Sequence, residues 1–580
     1  MSRLFANAQS ARSWCRHLRE SLNLGSDRMS RMKRLILLVC AVTAFWAPIR
    51  AQEPRDGHEW IDDPYFEVPK DDRLTTEGRN WTEGDHTSVQ VNTDPSGANI
   101  VGDAANEPSI AVNPNDRLRI AIGWRQFNTI QSNFRQAGNA HSTDAGESWT
   151  NGEILDPGIF RSDPVLDFGP DGTLYYDSLT TDGAYSTNVF ISTDSGASWS
   201  PPMPAYGGDK QWIDIDRSSG PGHGHFYQAW DYAGCCGDNW FNRSVDGGLN
   251  FEYPIPIPES PYWGVTEVGP DGSVYVIGRT AAASSFFVAR SSTLQDPLAA
   301  MAFDAAFPVN LGGALLFAIG VGPNPGGLLG QVWIAADHSN GPYAGHLYAL
   351  ASVDPPGPDP LEVHFVRSTD RGETWSAPVR VNDDPPDSNS WQWFGTMAVA
   401  GDGRIDVVWN DTRDDPSGDT SELRYSHSTD GGTTWSPSEQ LSPAFNSLIG
   451  WPDQQKLGDY YDMVSDRVGA HLAYAATFNG EQDVYYLRIG DWDCNDNGVG
   501  DGEDISSGYS LDFDMDGIPD ECRADGDDDG VVDPLDNCPT GPNPDQRDSN
   551  RNGVGDVCEG LIFADGFESG GTSAWSAVVP

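Results

Sequence analysis

Four short stretches toward the C-terminal end share one spacing of oxygen donors. They are Asp493-x-Asn495-x-Asn497-Gly498, Asp512-x-Asp514-x-Asp516-Gly517, Asp525-x-Asp527-x-Asp529-Gly530 and Asp548-x-Asn550-x-Asn552-Gly553. Oxygens at loop positions one, three and five, then a glycine that permits a sharp turn, are what a calcium loop of about 12 residues requires. Position nine is Asp501, Asp520, Asp533 and Asp556, and position twelve is Asp504, Arg523, Asp536 and Glu559. Three loops therefore end on a carboxylate. The second ends on Arg523, so it either borrows a ligand such as Glu521 or binds weakly. A disordered acidic linker would also be rich in Asp and Gly, but it would not keep four copies in phase with cysteines interleaved. Ca2+ is the expected ion.

A second stretch, "STDAGESWT" from Ser142 to Thr150, places a carboxylate, hydroxyls, a glycine and a tryptophan together, the ingredients of a catalytic loop or a sugar-binding patch. It recurs as "STDSGASWS" from Ser192, "SVDGGLNFE" from Ser244, "STDRGETWS" from Ser368 and "STDGGTTWS" from Ser428. The shared pattern is Ser-x-Asp-x-Gly-x-x-aromatic, centred on Asp144, Asp194, Asp246, Asp370 and Asp430. The interval from Asp246 to Asp370 is about twice the others, which places a decayed copy near "ARSSTLQDP" at Ala289. Repetition at this period indicates architecture. Asp and Ser hydrogen-bond nearby amides in a turn, Gly supplies a positive φ, and the aromatic closes the turn against a core.

The elements around the box are short alternating strands joined by polar turns. "EPSIAVNPNDRLRIAIGW", "DPVLDFGPDGTLYYDSL", "VTEVGPDGSVYVIGR" and "TMAVAGDGRIDVVWN" share this grammar, which is that of β-hairpins. Units begin near Glu107, Asp163, Gln211, Trp263, Gln331, Trp393 and Gly458, and the last lacks the box. Seven units of about four strands predict an all-β, seven-bladed propeller; six blades is the alternative, because 296–330 is irregular.

The five boxes resemble the Asp-box, or BNR, repeats of sialidases and related secreted propellers, as do "DKQWIDID" and "GRIDVVWNDTRDD", across about 105–490. The resemblance implies a sialidase-like propeller in which the box joins the third and fourth strands of a blade, opposite the active face. That face is built from inner-strand starts and second-to-third strand loops, so Trp212, Trp263, Trp393, Asp163 and Asp459 are the expected ligand-binding residues, with Glu107, Lys210, Trp333 and Tyr460 beside them. Aromatic platforms with polar rims suit sugars or peptides. An exo-sialidase-like glycoside hydrolase acting on terminal sialic acid, or a related acidic sugar, is the alternative. That family clamps its substrate carboxylate with three arginines and uses a tyrosine nucleophile. Arg125, Arg279 and Arg413 follow second strands and are the candidates for the clamp, with Tyr460 for the nucleophile. The family's Arg-Ile-Pro motif is absent; the first inner strand reads "NEPSIAVNP".

The run "DGDDDGVVDPLDNCPTGPNPDQRDSNRNGVGDVC" resembles thrombospondin type 3 repeats, which implies calcium-dependent folding and a role in adhesion or matrix contact. The segment lacks an apolar core, and ions and disulfides would stand in for it.

Net charge of -51 over 580 residues argues against a nucleic-acid partner, since a phosphate backbone needs a cationic surface. "RMKRLILLVCAVTAFWAPIRAQ" reads as a secretory signal ending near Ala51, with an apolar run too short for a membrane span. An exported mature chain would carry six cysteines, an even number suited to disulfides. Cys494 with Cys522 and Cys538 with Cys558 are the expected pairs, and adjacent Cys235 and Cys236 are either bridged or reduced. The organisation read from sequence is a signal-bearing extension (1–51), a polar leader arm (52–105), the propeller (106–490), an irregular calcium-stabilised repeat segment (491–560) and a tail (561–580). The expected function is that of a secreted or cell-surface, calcium-binding propeller that binds an extracellular glycan or protein, with no transmembrane segment in the mature chain.

Overall fold

The computed structural model describes residues 63–559, apart from residues 66, 69–72, 182, 387, 416, 453, 496, 513–517, 523–525, 528, 530 and 534. The proposed signal segment, the C-terminal tail, and the calcium candidates Asp514, Asp516 and Asp525 lie outside the described residues.

The strands form seven antiparallel blades, the first six running in chain order from the axis outward, and a separate two-stranded sheet pairs Leu74–Thr76 with Asn99–Val101. Blade one is Ala104–Val112, Ile120–Phe127, Arg135–Ser142 and Thr150–Asn151. Blade two is Ser162–Phe168, Leu174–Thr181, Tyr185–Ser192 and Met203–Pro204. Blade three has Trp212–Ile215, Phe226–Ala229 and Phe241–Ser244, with a single bridge from Phe241 to Ile255 in place of an outer strand. Blade four is Thr266–Val268, Val274–Arg279, Phe286–Ser291 and Ala305–Val309. Blade five is Trp333–Ala336, Leu347–Val353, Glu362–Ser368 and Val379–Arg380, and blade six is Gln392–Val399, Ile405–Asp411, Thr420–Ser428 and Glu439–Gln440. Blade seven takes Asp462–Ser465, Gly469–Ala476 and Asp483–Gly490 from the end of the ring and His86–Gln90 and Trp81–Glu83 from its beginning, with Ser88 opposite Leu487. Joining the two ends of the ring in one sheet leaves no long unpaired edge at the closure.

The propeller therefore has seven blades. The irregular 296–330 region holds the outer strand of blade four, followed by a loop of 310–331 that crosses to blade five. Its length reflects a covering role, described below.

All five boxes close the turn after a blade's third strand. In the first, the Ser142 hydroxyl donates to Asp144 (2.7 Å), the Gly146 amide donates to Ser142 (2.8 Å), and the Ser148 amide donates to Asp144 (2.9 Å). The same three bonds recur around Asp194, Asp246, Asp370 and Asp430. In blade four the serine remains as Ser291, which accepts from the amides of Thr293 and Leu294 without a box aspartate. Box aromatics also reach the preceding blade. Trp149 packs 5.1 Å from Tyr486 and Trp435 packs 5.1 Å from Phe365. Asp144 and its counterparts are hairpin clips, and the aromatics Trp149 and Trp435 stitch neighbouring blades together.

Inner strands are linked around the axis by side chains that accept a neighbour's backbone amide. Asp462 accepts from Ile110, Ser109 from Leu166, Asp167 from Ile215, Asp214 from Val268 and Glu267 from Ala336. These staples satisfy amides that sheet pairing leaves open between blades.

Candidate functional site

The box turns mark one face of the ring. The starts of the inner strands and the loops between second and third strands lie at the other, here called the top face. Near the starts of several inner strands lies a residue in the left-handed region: Glu107 (φ 48), Asp163 (φ 46), Lys210 (φ 53), Trp263 (φ 55) and Phe394 (φ 58). Three of these carry charged side chains that meet on the axis. The register shift in blade one between Asn106 and Ser109, and its counterpart in blade two, mark the bulges that aim them there.

The result is a buried ionic cluster. Lys210 Nζ is paired with Asp459, lies 3.5 Å from Asp163 and is 4.0 Å from Glu107. Lys456 Nζ lies 2.6 Å from Asp459 and 3.4 Å from Glu107. Arg125 Nε lies 3.1 Å from the other Glu107 oxygen and donates to Asn106 at 2.9 Å. Glu107, Asp163 and Asp459 thus face Lys210, Lys456 and Arg125, three carboxylates against three cations. Burial in a low-dielectric interior is costly for each charge and tolerable only with such matching. Burial dominates at Glu107 and, despite Arg125, Lys210 and Lys456, pushes its carboxyl up to about 7. At Asp163 and Asp459 burial is outweighed by the cations, Lys210 foremost, and both are held below the usual carboxylate range. Burial likewise outweighs the carboxylates at Lys456 and lowers it, whereas at Lys210 the carboxylates win and raise it.

The expected open aromatic platform is a closed layer. Trp212 is 6% exposed, Trp263 2%, Trp393 0%, Asp163 0% and Asp459 1%. Trp212 packs edge-on against Trp333 (5.1 Å) and Tyr460 (5.3 Å). The indole of Trp263 donates to Asp231 and that of Trp393 to Ser421. The long loop before blade five lies over this layer: Leu328 N donates to Asp459, Gly326 N to the Gln455 carbonyl, and Phe317 packs 4.7 Å from Trp263. Sequence alternation marks these tryptophans as inward-facing but carries no sign that a remote loop covers them.

The three arginines do not form a clamp. Arg125 belongs to the axial cluster. Arg279 is held between the rings of Trp263 (4.7 Å), Phe317 (5.3 Å) and Tyr262 (5.4 Å). Arg413 lies on blade six, bonded to Asp411 and Asp383 at 2.8 Å and 2.7 Å. Tyr460 is buried, its hydroxyl donates to the Pro164 carbonyl at 2.9 Å, and burial raises its pKa well above that of free tyrosine. It is poorly placed to act as a nucleophile.

Toward the box face the axis widens into a cavity of ≈ 610 Å³ lined by all seven inner strands. Its acidic residues Asp167, Asp214, Glu267 and Asp462 are the inter-blade staples, and Arg217 and His338 bind to the first three.

In the acidic segment, loops one and four have the same geometry. In loop one, Asp493 accepts from the amides of Asn497 (3.0 Å) and Gly498 (2.9 Å), and Asp504 accepts from the side chains of Asn495 (3.2 Å) and Asn497 (2.6 Å). In loop four, Asp548 accepts from the amides of Asn552 (3.3 Å) and Gly553 (2.9 Å), and Glu559 accepts from the side chains of Asn550 (2.8 Å) and Asn552. Gly498 (φ 83) and Gly553 (φ 87) make the left-handed turn at position six. In loop three, carboxylate oxygens of Asp527, Asp529 and Asp536, at positions three, five and twelve, lie within 4.8 Å of one another.

Position nine also contributes to the loop's own hydrogen bonding. Asp501, Asp533 and Asp556 each accept the amide of position two in their own loop: Cys494 (3.0 Å), Gly526 (2.8 Å) and Ser549 (2.8 Å). These carboxylates fasten the loop. Glu521, considered as a substitute ligand for loop two, accepts from Asn495 of loop one at 3.4 Å. Asp512 and Asp520 flank the loop-two residues that lie outside the described set. Disulfides join Cys494 to Cys522, Cys538 to Cys558, and Cys235 to Cys236. Among the described residues no helix is long and apolar enough to cross a membrane.

A family model for the thrombospondin type 3 repeat matches residues 511–546. No curated protein matches the chain. Among solved structures, a Dyadobacter fermentans protein of unknown function is 16% identical, covering 69% of this chain and 98% of its own, with a TM-score of 0.40. A Hadza microbial sialidase is 12% identical over 67% of this chain and 66% of its own, TM-score 0.34. An ulvan lyase of polysaccharide lyase family 25 is 11% identical over 72% of this chain and 96% of its own, TM-score 0.35. The seven-bladed assignment stands on this chain's own strand order. The chain is a seven-bladed β-propeller followed by a thrombospondin type 3 repeat segment.

Proposed function

We propose that this is an extracellular, calcium-binding propeller protein that binds a glycan or protein ligand and serves in adhesion, with the acidic repeats as a calcium-stiffened spacer. The observation that carries the calcium part is the common geometry of loops one and four, in which positions three, five and twelve converge. The donor set fits a hard cation that takes six to eight oxygens. Asp493, Asn495, Asn497 and Asp504 would hold one ion, Asp548, Asn550, Asn552 and Glu559 another, and Asp527, Asp529 and Asp536 a third. The asparagine amides point their nitrogens at the position-twelve carboxylate; a half-turn of each amide would present its oxygen instead. The bound ion would neutralise these crowded acids and order a segment with little apolar core. Disulfides within the segment suit an oxidising, extracellular location.

Calcium titrated calorimetrically into the metal-stripped full chain should release heat at several sites and protect 491–559 from protease. Absence of both heat and protection would remove the calcium reading. A sialidase-type reaction draws no support from the geometry, because Arg125, Arg279 and Arg413 are each committed to different partners.

A further inference from the structure

Between blades three and four the top face carries a cleft of ≈ 480 Å³, lined chiefly by Tyr232, Trp240, Glu259, Ser260, Tyr262 and Thr280. We propose that this cleft binds a neutral pyranose unit of an extracellular glycan, stacked on Tyr232. The inference rests on the reading of the propeller as a glycan binder and names where and what it binds.

Four observations support it. First, Tyr232 is 47% exposed although it sits among rings, 5.5 Å from Tyr262 and 6.4 Å from Trp240. A solvent-facing aromatic wall in a concave site is what the apolar face of a sugar ring needs. Second, the wall is held in place. Tyr262 pairs with Arg279 through both backbone bonds, packs 5.2 Å from Trp263, and accepts from Arg279 Nη2 at 3.4 Å. The Trp240 indole donates to the Gly237 carbonyl at 2.9 Å.

Third, the loop that carries Tyr232 is pinned. Cys235 is bridged to Cys236, packs against the blade core, and donates its amide to the Gly207 carbonyl at 3.1 Å. At Gly208 a Cβ would come within 2.5 Å of Gly234 Cα, so the two backbones touch. On the opposite wall, Glu259 (φ 63) and Ser260 (φ 49) are consecutive residues in the left-handed region, strain of the kind that clusters at binding sites. Ligand ordering is therefore done in advance by the fold. Fourth, the lining contains one carboxylate, Glu259, and no lysine, arginine or histidine. Glu259 with the hydroxyls of Ser260 and Thr280 can accept hydrogen bonds from sugar hydroxyls, and the nearby cation, Arg279, is buried behind Tyr262 at 5% exposure, so no lining group would neutralise the carboxylate of an acidic sugar. The cleft thus selects neutral sugars over sialic or uronic acids.

The test uses the full chain, calcium-saturated, against neutral oligosaccharides (gluco-, manno-, galacto- and xylo-series) and acidic ones (sialyllactose, oligogalacturonate). Binding is read by saturation-transfer NMR and calorimetry. A neutral oligosaccharide should bind, with its Kd raised tenfold or more by Tyr232→Ala and several-fold by Glu259→Gln. Tyr253→Ala, on an exposed tyrosine outside the cleft, should leave Kd unchanged. Replacing Cys235 and Cys236 together by serine should also weaken binding, with circular dichroism checking that each variant is folded. Wild-type glycan binding that is indifferent to Tyr232→Ala and Glu259→Gln overturns the cleft assignment and leaves glycan binding standing. Binding of acidic sugars alone does the same. Failure of every saccharide to bind removes the glycan reading and the cleft with it.

Discussion

Replacing Lys210 by methionine tests whether the axial cluster is a charge-balanced plug. Its ammonium faces all three buried carboxylates, at 3.5 Å from Asp163, 4.0 Å from Glu107 and in direct contact with Asp459. Without it, three carboxylates face two cations in a fully buried site. Breaking such a pair by removing one partner costs about 3–5 kcal/mol. The cost should depend on pH, because Glu107 is pushed up to about 7 by burial. Below that value Glu107 takes a proton and restores the balance, so the loss should be smaller around pH 6 than around pH 8, by up to about 1.4 kcal/mol. Asp459→Asn removes one negative charge while keeping an oxygen for the Leu328 amide. The double variant should therefore be more stable than the sum of the singles implies, by about 1–3 kcal/mol. Urea unfolding followed by tryptophan fluorescence in calcium-saturated buffer at both pH values measures all of this. A Lys210→Met loss under about 1 kcal/mol, or a penalty from Asp459→Asn that simply adds to it, would refute the charge-balance argument.

Other outcomes follow from the same geometry. Asp144→Ala removes acceptors for the Ser148 amide and the Ser142 hydroxyl; it should cost about 1–2 kcal/mol in thermal unfolding and leave ligand affinity untouched. Burial raises the Asp177 and Asp462 carboxyls to about 7. Their folded pKa exceeds the unfolded one, so their contribution is full below about pH 4 and is lost as pH rises through about 7; a stability–pH profile measured from mildly acidic to mildly alkaline conditions should fall, and a flat or rising profile would contradict it. Asp163 and Asp459, held low by Lys210, contribute in the opposite sense: their share is present above the unfolded carboxylate value and disappears on acidification through their lowered folded values. Glu559→Gln removes the acceptor that gathers Asn550 and Asn552. It should lower the calcium stoichiometry by one ion in a calorimetric titration; an unchanged stoichiometry would take Glu559 out of the ligand set.

The blades were legible because each is a local object. A box such as Ser142–Trp149 is closed by bonds between residues two to four apart, so its pattern survives in the linear chain and its repetition identifies a propeller. The calcium loops are legible for the same reason: Asp493 and Asp504, or Asp548 and Glu559, act within one short loop. Position nine shows the same locality: Asp501 and Asp556 each accept an amide of their own loop.

What happens on the axis depends on distant parts of the chain. Glu107, Asp163, Lys210 and Asp459 come from four blades, and their meeting in one ionic cluster requires the closed ring. Trp212, Trp263 and Trp393 looked like a ligand platform because alternation records which way a side chain points along its own strand, and it is silent about the Leu328 loop that covers them. The same holds for the cleft at Tyr232, whose walls come from two blades and whose shape is set by the contact of Gly208 with Gly234. Short-range hydrogen bonding therefore determined the blades and the ion loops from sequence alone. Ring closure decided which charges meet, which aromatic rings are covered and which one faces solvent, because those outcomes are contacts between segments that only the closed ring brings together.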